Sequence, residues 1–180
     1  MRWFARVALI AALALGAPAA HAQNKENLLI MQTSVGGPVV IEMRPDLAPK
    51  HVARIRELVR QKFYDGVVFH RVMEGFMAQT GDPTGTGSGG SGQKLPAEFN
   101  REPHVRGTVS MARASDPNSA DSQFFICFAP APSLDGKYTV WGRVISGMEY
   151  IDKIKRGAPG SGQVTNPDKI VTLRVAADVN

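Results

Sequence analysis

The stretch Phe69-His70-Arg71-Val72-Met73-Glu74-Gly75-Phe76-Met77-Ala78-Gln79-Thr80-Gly81-Asp82 decides the reading of the fold. It sets one arginine among apolar, β-prone residues, and a glutamine follows eight positions later. Period two, carried past a turn, places Arg71, Met73, Met77 and Gln79 on one face. A cation and an amide beside Phe76 and Met77 describe a greasy pocket with a few directed hydrogen-bond donors. Such a pocket suits a neutral, partly apolar ligand better than a phosphate or a metal.

Outward from this stretch the chain reads as short strands. Residues 28–32 and 39–43 form two, joined by a Gly36-Gly37-Pro38 turn. Residues 67–73, 76–80, 107–113, 123–129, 138–145 and 170–176 supply the others. Pro45 and Pro49 punctuate a helix start, after which Val52, Ile55, Leu58, Val59 and Phe63 recur at helical spacing until Gly66. Residues 147–156 read as a second helix, with Glu149–Lys153 and Asp152–Arg156 as i,i+4 pairs. Seven or eight strands with two helices near the ends argue for an antiparallel barrel or sandwich with helical caps. No βα alternation supports a parallel sheet.

The 180 residues make one domain the default. Residues 1–22 read as a secretory signal peptide: Arg2 and Arg6, a short apolar run, then Ala20-His21-Ala22 before Gln23. The apolar run is too short to span a bilayer, so stable membrane insertion is not expected. Without Arg2 and Arg6, 19 basic residues face 16 acidic ones, a net charge of +3. The basic residues are scattered and seldom interleaved with aromatics, which argues against nucleic-acid binding. The single cysteine, Cys127, lies inside Phe124-Phe125-Ile126-Cys127-Phe128 and reads as a small buried hydrophobe rather than a nucleophile.

Several tempting motifs fail. Gly85-Thr86-Gly87-Ser88-Gly89-Gly90 matches G-x-G-x-x-G, but no helix opens after it, so it reads as a mobile surface loop. The histidines lack ligand spacing with Cys, Asp or Glu, so no metal is expected. There is no G-x-S-x-G elbow to support a Ser-His-Asp triad. Asp116-Pro117-Asn118-Ser119-Ala120-Asp121 lacks the glycine and distal glutamate of a calcium loop and reads as a solvated turn. What survives is a set of strand-borne segments. Ser110-Met111-Ala112-Arg113-Ala114 has small residues that would admit a ligand backbone at Ala112. Ser122-Gln123-Phe124-Phe125-Ile126 puts Gln123 and Phe125 on one face and Phe124 on the other. Leu134-Asp135-Gly136-Lys137-Tyr138 adds side chains around a turn.

Together, in this order and spacing, these segments resemble the cyclophilin-type peptidyl-prolyl cis/trans isomerases, over nearly all of residues 23–180. The resemblance implies a mainly β fold, a closed eight-stranded antiparallel barrel capped by two α-helices. It implies X–Pro isomerisation without cofactor or metal, with Arg71 as the catalytic arginine. Phe76, Met77, Phe125 and Leu134 would line the proline pocket, and Gln79 and Gln123 would hold polar groups of the substrate. Ala112 and the backbone of Arg113 would bind the residues before the proline, flanked by Ala114. Arg113 replaces a common asparagine, and Tyr138 bounds the pocket where many members have histidine. Ser133 stands where many eukaryotic members have tryptophan, so weak cyclosporin binding is expected.

The partners implied are proline-containing polypeptides, met by a monomer. The export signal and a domain without a tail point to a bacterial periplasm, with full secretion left open. Two competing functions remain at this stage: a module that holds proline-containing segments without turnover, and a barrel for small apolar ligands.

Overall fold

The computed structural model describes residues 24–179; the signal peptide read at 1–22 lies outside them. Eight strands form one antiparallel sheet: β1 (Leu28–Thr33), β2 (Gly36–Met43), β3 (Arg71–Met73), β4 (Met77–Thr80), β5 (Thr108–Met111), β6 (Phe124–Cys127), β7 (Val140–Ser146) and β8 (Ile170–Val175). Their order is β3-β4-β6-β5-β7-β2-β1-β8. The β1–β2 turn falls at Ser34 and Val35, and Gly36 already belongs to β2.

The closed barrel is corrected to a curled half-barrel with β3 and β8 as its two edges. Residues 67–70, expected in a strand, meet the other edge only at the isolated bridge Val68–Lys169 and through single backbone bonds such as Phe69 N to Asp168 O at 2.8 Å. Gly66, with φ of +80°, and Asn166, with φ of +52°, break the extended backbone on the two sides of the seam, so the edges do not run as a continuous ladder. The seam-facing groups that do pair are few: Gly66 N with Ile170 O, Ile170 N with Val67 O and Phe69 N with Asp168 O, at 2.8, 2.9 and 2.8 Å. The Lys169 N–H and C=O face β1, where both meet Ser34.

Helix α1 (Pro49–Arg60) covers one end of the half-barrel. Proline in its first turn fits, because that N–H would lack a helical partner anyway. Its residues Val52, Ile55, Leu58 and Val59 are buried in the main core with Trp141, Tyr64, Phe69 and Phe124. Ala48 offers no side-chain cap. The Glu98 carboxylate replaces it, accepting the N–H groups of Lys50 and His51 at 3.0 Å each, and His51 Nδ1 lies 2.6 Å from it. Helix α2 is only Met148–Ile151, shorter than the sequence suggested. The ion pairs expected to extend it are spent elsewhere: Asp152 takes Arg106 at 2.6 Å, and Arg156 takes Glu74 at 2.6 Å.

The sheet is buried on both faces where the site lies. From β6, Phe124 and Ile126 point into the main core, while Phe125 and Cys127 point into a second apolar cluster with Met73, Phe76, Met77, Ala112, Leu134 and Tyr138. Strict alternation along the strand sends neighbours to opposite faces, so one four-residue run builds both the core and the floor of a surface cleft.

The glycine-rich loop, read from its composition as a mobile surface loop, wraps two buried carboxylates. Asp82 accepts N–H bonds from Thr84, Gly87 and Gly89, and Asp121 accepts them from Ser91 and Gly92. Gly89 is required because a Cβ there would lie 2.2 Å from Asp82 Oδ1. Burial alone would push the Asp82 carboxyl up. The bonds from Thr84 and from the backbone outweigh it and hold the group down to about 2. A carboxylate with a depressed folded value stabilises the protein above its unfolded value near 3.9 and loses that contribution as pH falls towards 2. Asp82→Asn should therefore lower stability at pH 7 by about 2 kcal/mol. Urea titrations at pH 7 and pH 2.5 should show the difference from wild type shrinking in acid.

Candidate active site

The register across four strands assembles a row: Arg71 on β3 opposes Gln79 on β4, Gln79 opposes Phe125 on β6, and Phe125 opposes Ser110 on β5. A second row, Met73, Met77 and Cys127, runs beside it. Gly81 ends β4 with φ of +91°, and a Cβ there would lie 2.4 Å from Ser122 O. Only glycine lets the chain turn so close to the start of β6.

Arg71, Phe76, Met77, Gln79, Ala112, Arg113, Phe125, Leu134 and Tyr138 line one cleft of about 200 Å³. Ala114 and Gln123 lie in an adjoining cavity of about 310 Å³ that shares Gln79, Ala112 and Arg113 with it. All eleven residues picked from the sequence thus fall on one continuous surface depression, divided between two subsites. Among the described residues, no group of three or more His, Cys, Asp or Glu side chains could hold a metal ion.

The polar groups are fixed in one chain. Arg71 Nη1 donates to Gln79 Oε1 at 3.3 Å, Gln79 Nε2 to Gln123 Oε1 at 2.9 Å, and Gln123 Nε2 to the carbonyls of Gly87 and Gly89 at 3.0 and 2.8 Å. The two glycine carbonyls can only accept, so both amides have a single consistent orientation, and the oxygen of Gln79 must face the guanidinium. Arg71 Nε donates to Ser161 O at 3.0 Å, and Nη2 lies 3.1 Å from Met73 Sδ. Among the described residues no carboxylate neutralises Arg71, and one N–H on each terminal nitrogen has no partner.

The apolar wall is propped from behind. Phe125 meets Tyr138 edge-on at 5.9 Å and stacks on His104 at 6.0 Å. His104 Nδ1 lies 2.9 Å from Asp135 Oδ1, and Nε2 lies 3.0 Å from Ser110 Oγ. These are the distances of a Ser-His-Asp triad. The serine is fully buried and the histidine is 1% exposed, so no acyl group can reach Oγ. The set is a scaffold for Phe125 and Tyr138. Cys127 is fully buried in the cleft floor, and burial, with a further push from Asp135, drives its thiol up to about 12, so it stays a protonated hydrophobe.

Sequence reasoning passed over His104, Asp135 and Ser161. Asp135 stood inside a quoted segment, and Met73, placed on the Arg71 face, was given no role. His104 and Ser161 reach the site from loops, and no periodicity marks them. His70 is 7% exposed and lines a third cavity beside Arg71 and Ser161, with both ring nitrogens unpartnered. Burial holds it below the usual imidazole value, against the pull of Asp82.

Comparisons with known proteins agree with this geometry. Residues 28–175 match the family described as cyclophilin type peptidyl-prolyl cis-trans isomerase/CLD. A Brucella suis protein described as "Probable peptidyl-prolyl cis-trans isomerase" is 52% identical, covering 97% of this chain and 98% of the relative. Peptidyl-prolyl cis-trans isomerase CYP18-2 of Arabidopsis thaliana is 46% identical, over 77% of this chain and 84% of its own. Cyclophilin AquaCyp293 from Hirschia baltica superposes with a TM-score of 0.78 at 31% identity, covering 87% of this chain and 76% of that one. A Cryptosporidium parvum cyclophilin-type isomerase, crystallised in the presence of the dipeptide Ala-Pro, gives 0.76 at 30% identity, covering 82% and 98%. With an apolar cleft floored by β6 and edged by Arg71, the chain belongs to the cyclophilin-type peptidyl-prolyl cis-trans isomerases.

Proposed function

We propose that the enzyme isomerises X–Pro bonds in exported proteins, with Arg71 stabilising the twisted bond. The observation that carries this reading is an arginine on the edge of an apolar cleft that has, among the described residues, no carboxylate partner and two N–H groups without one. The Ala-Pro dipeptide present with the Cryptosporidium parvum relative supports a proline-containing substrate.

The peptide C–N bond has partial double-bond character, and rotation costs ~18–20 kcal/mol. Uncatalysed X–Pro isomerisation takes tens to hundreds of seconds, slow enough to limit folding. No covalent bond breaks, so no nucleophile is needed. At the twisted transition state the prolyl nitrogen loses conjugation and becomes pyramidal, with a lone pair able to accept a hydrogen bond. A donor aimed there gains strength only in the transition state, which is what raises a rate. The guanidinium stays protonated and has a rigid fork of donors. In this reading Phe76, Met77, Phe125 and Leu134 hold the prolyl ring. Gln79 keeps the guanidinium aimed, and Gln123, Ala112, Arg113 and Ala114 align the preceding residues. Tyr138 bounds the ring. The preceding carbonyl then rotates while the ring stays fixed. A thousandfold acceleration needs about 4 kcal/mol of differential stabilisation, the range of one charge-assisted hydrogen bond in a partly dry cleft.

Exchange NMR on a short Ala–Pro peptide should show catalysed interconversion that falls by about a hundredfold or more in Arg71→Ala, with the amide spectrum of the variant still dispersed. Arg71→Lys should recover little, because an ammonium lacks the fork. Peptide binding without accelerated exchange in the wild type would identify a holding module instead. An apolar molecule copurifying in the cleft would favour the small-ligand reading.

The signal peptide read at 1–22 supports export, and we propose the periplasm as the location, with full secretion as the alternative. Cell fractionation with N-terminal sequencing should find a periplasmic protein beginning at Gln23; a cytoplasmic protein beginning at Met1 would refute it. Ser133 is exposed on the short helix Pro132–Leu134 next to the cleft residue Leu134. Cyclosporin should therefore inhibit weakly, and Ser133→Trp should tighten inhibition by about tenfold or more, since a tryptophan at an interface centre commonly contributes that much.

A further inference from the structure

Seven of the eleven arginines among the described residues hold a carboxylate oxygen within 4.0 Å. Of the four that do not, Arg71 and Arg113 line the same cleft. Among the described residues no acidic side chain lines that cleft or the third cavity beyond Arg71. The adjoining second cavity has one, Asp121, which is 6% exposed, is spent on Ser91 and Gly92, and lies 3.6 Å from Lys94. The protein pairs most of its guanidiniums, yet leaves bare the two on the substrate surface.

Arg113 is held rigidly despite its half-exposed position. Nε and Nη2 donate to Lys137 O at 3.2 and 2.9 Å, and Nη1 donates to Ala114 O and Ser115 O at 2.9 and 3.3 Å. Its guanidinium carbon sits 4.6 Å from the Tyr138 ring centre and 5.7 Å from that of Phe99. Neutral carbonyls and aromatic faces fix the group without cancelling its charge. The result is a stationary positive charge shared by the proline cleft and the cavity beside it.

We propose that Arg113 is a specificity residue that makes the enzyme prefer an acidic residue immediately before the proline. This rests on the isomerase reading above, in which the segment preceding the proline crosses Ala112 and Arg113. A glutamate there meets Arg113 without displacing any existing ion pair, and a lysine meets two uncompensated cations.

The test is kcat/KM for three peptides differing only in Glu, Ala or Lys before proline, with wild type, Arg113→Gln and Arg113→Lys. At low ionic strength the wild type should favour Glu over Lys by about three- to thirtyfold, the span that unit charges several ångströms apart give between water and a protein surface. The ratio should fall towards one at about 1 M salt, where the screening length is ~3 Å. It should fall towards one in Arg113→Gln and largely persist in Arg113→Lys. A wild-type ratio near one, with the Ala peptide turned over normally, would overturn the proposal and leave the isomerase reading intact. A ratio that survives Arg113→Gln would also overturn it. No turnover of the Ala peptide would overturn both. Should Arg113→Gln fail to fold, the salt series on wild type still decides, because a salt-insensitive ratio is incompatible with a charge-based preference.

Discussion

One line of hydrogen bonds holds the functional surface together. It runs from Arg71 through Gln79 and Gln123 to the carbonyls of Gly87 and Gly89. Each link fixes the next, because an amide that donates at one end must accept at the other. The glycine loop is in turn folded around Asp82 and Asp121. A guanidinium on a flexible stem is thereby held at a fixed place beside an apolar floor. In the proposed reaction, preorganisation of this kind spares the donor any reorientation when charge builds up on the prolyl nitrogen.

The floor depends on β6. A strand buried on both faces commits Phe124 and Ile126 to the main core and Phe125 and Cys127 to the cleft. A slip of one residue would exchange these sets, so the register that stabilises the fold also places the site. The scaffold of His104, Asp135 and Ser110 adds a second constraint from behind Phe125. Here a serine, a histidine and an aspartate at triad distances do packing work, because burial denies them a substrate.

Much of this was legible in the sequence where period two governs. Arg71, Met73, Met77 and Gln79 share a face because two short strands pair about a turn, and alternation alone separates Phe124 from Phe125. The cleft-lining residues were readable as a set through family resemblance; alone, each is an ordinary arginine, glutamine or aromatic. What was not legible depends on contacts distant in sequence. The half-barrel stays open because Gly66 and Asn166, at positive φ, keep the two edges from running as a continuous ladder. Helix α2 is short because Asp152 and Arg156 find Arg106 and Glu74. The glycine-rich loop wraps carboxylates that composition cannot place. Ser161 reaches Arg71 from 90 residues away.

In the proposed reaction the prolyl ring sits on Met77 and Phe125, with its nitrogen facing Arg71. Intermolecular NOEs from an isotope-labelled X–Pro peptide test this directly. The account requires cross-peaks from the prolyl ring protons to the Met77 methyl and the Phe125 ring, and from the prolyl δ protons to Arg71. Cross-peaks confined to His70, Thr86 and Gln163 in the third cavity, with none to Met77 or Phe125, would contradict it.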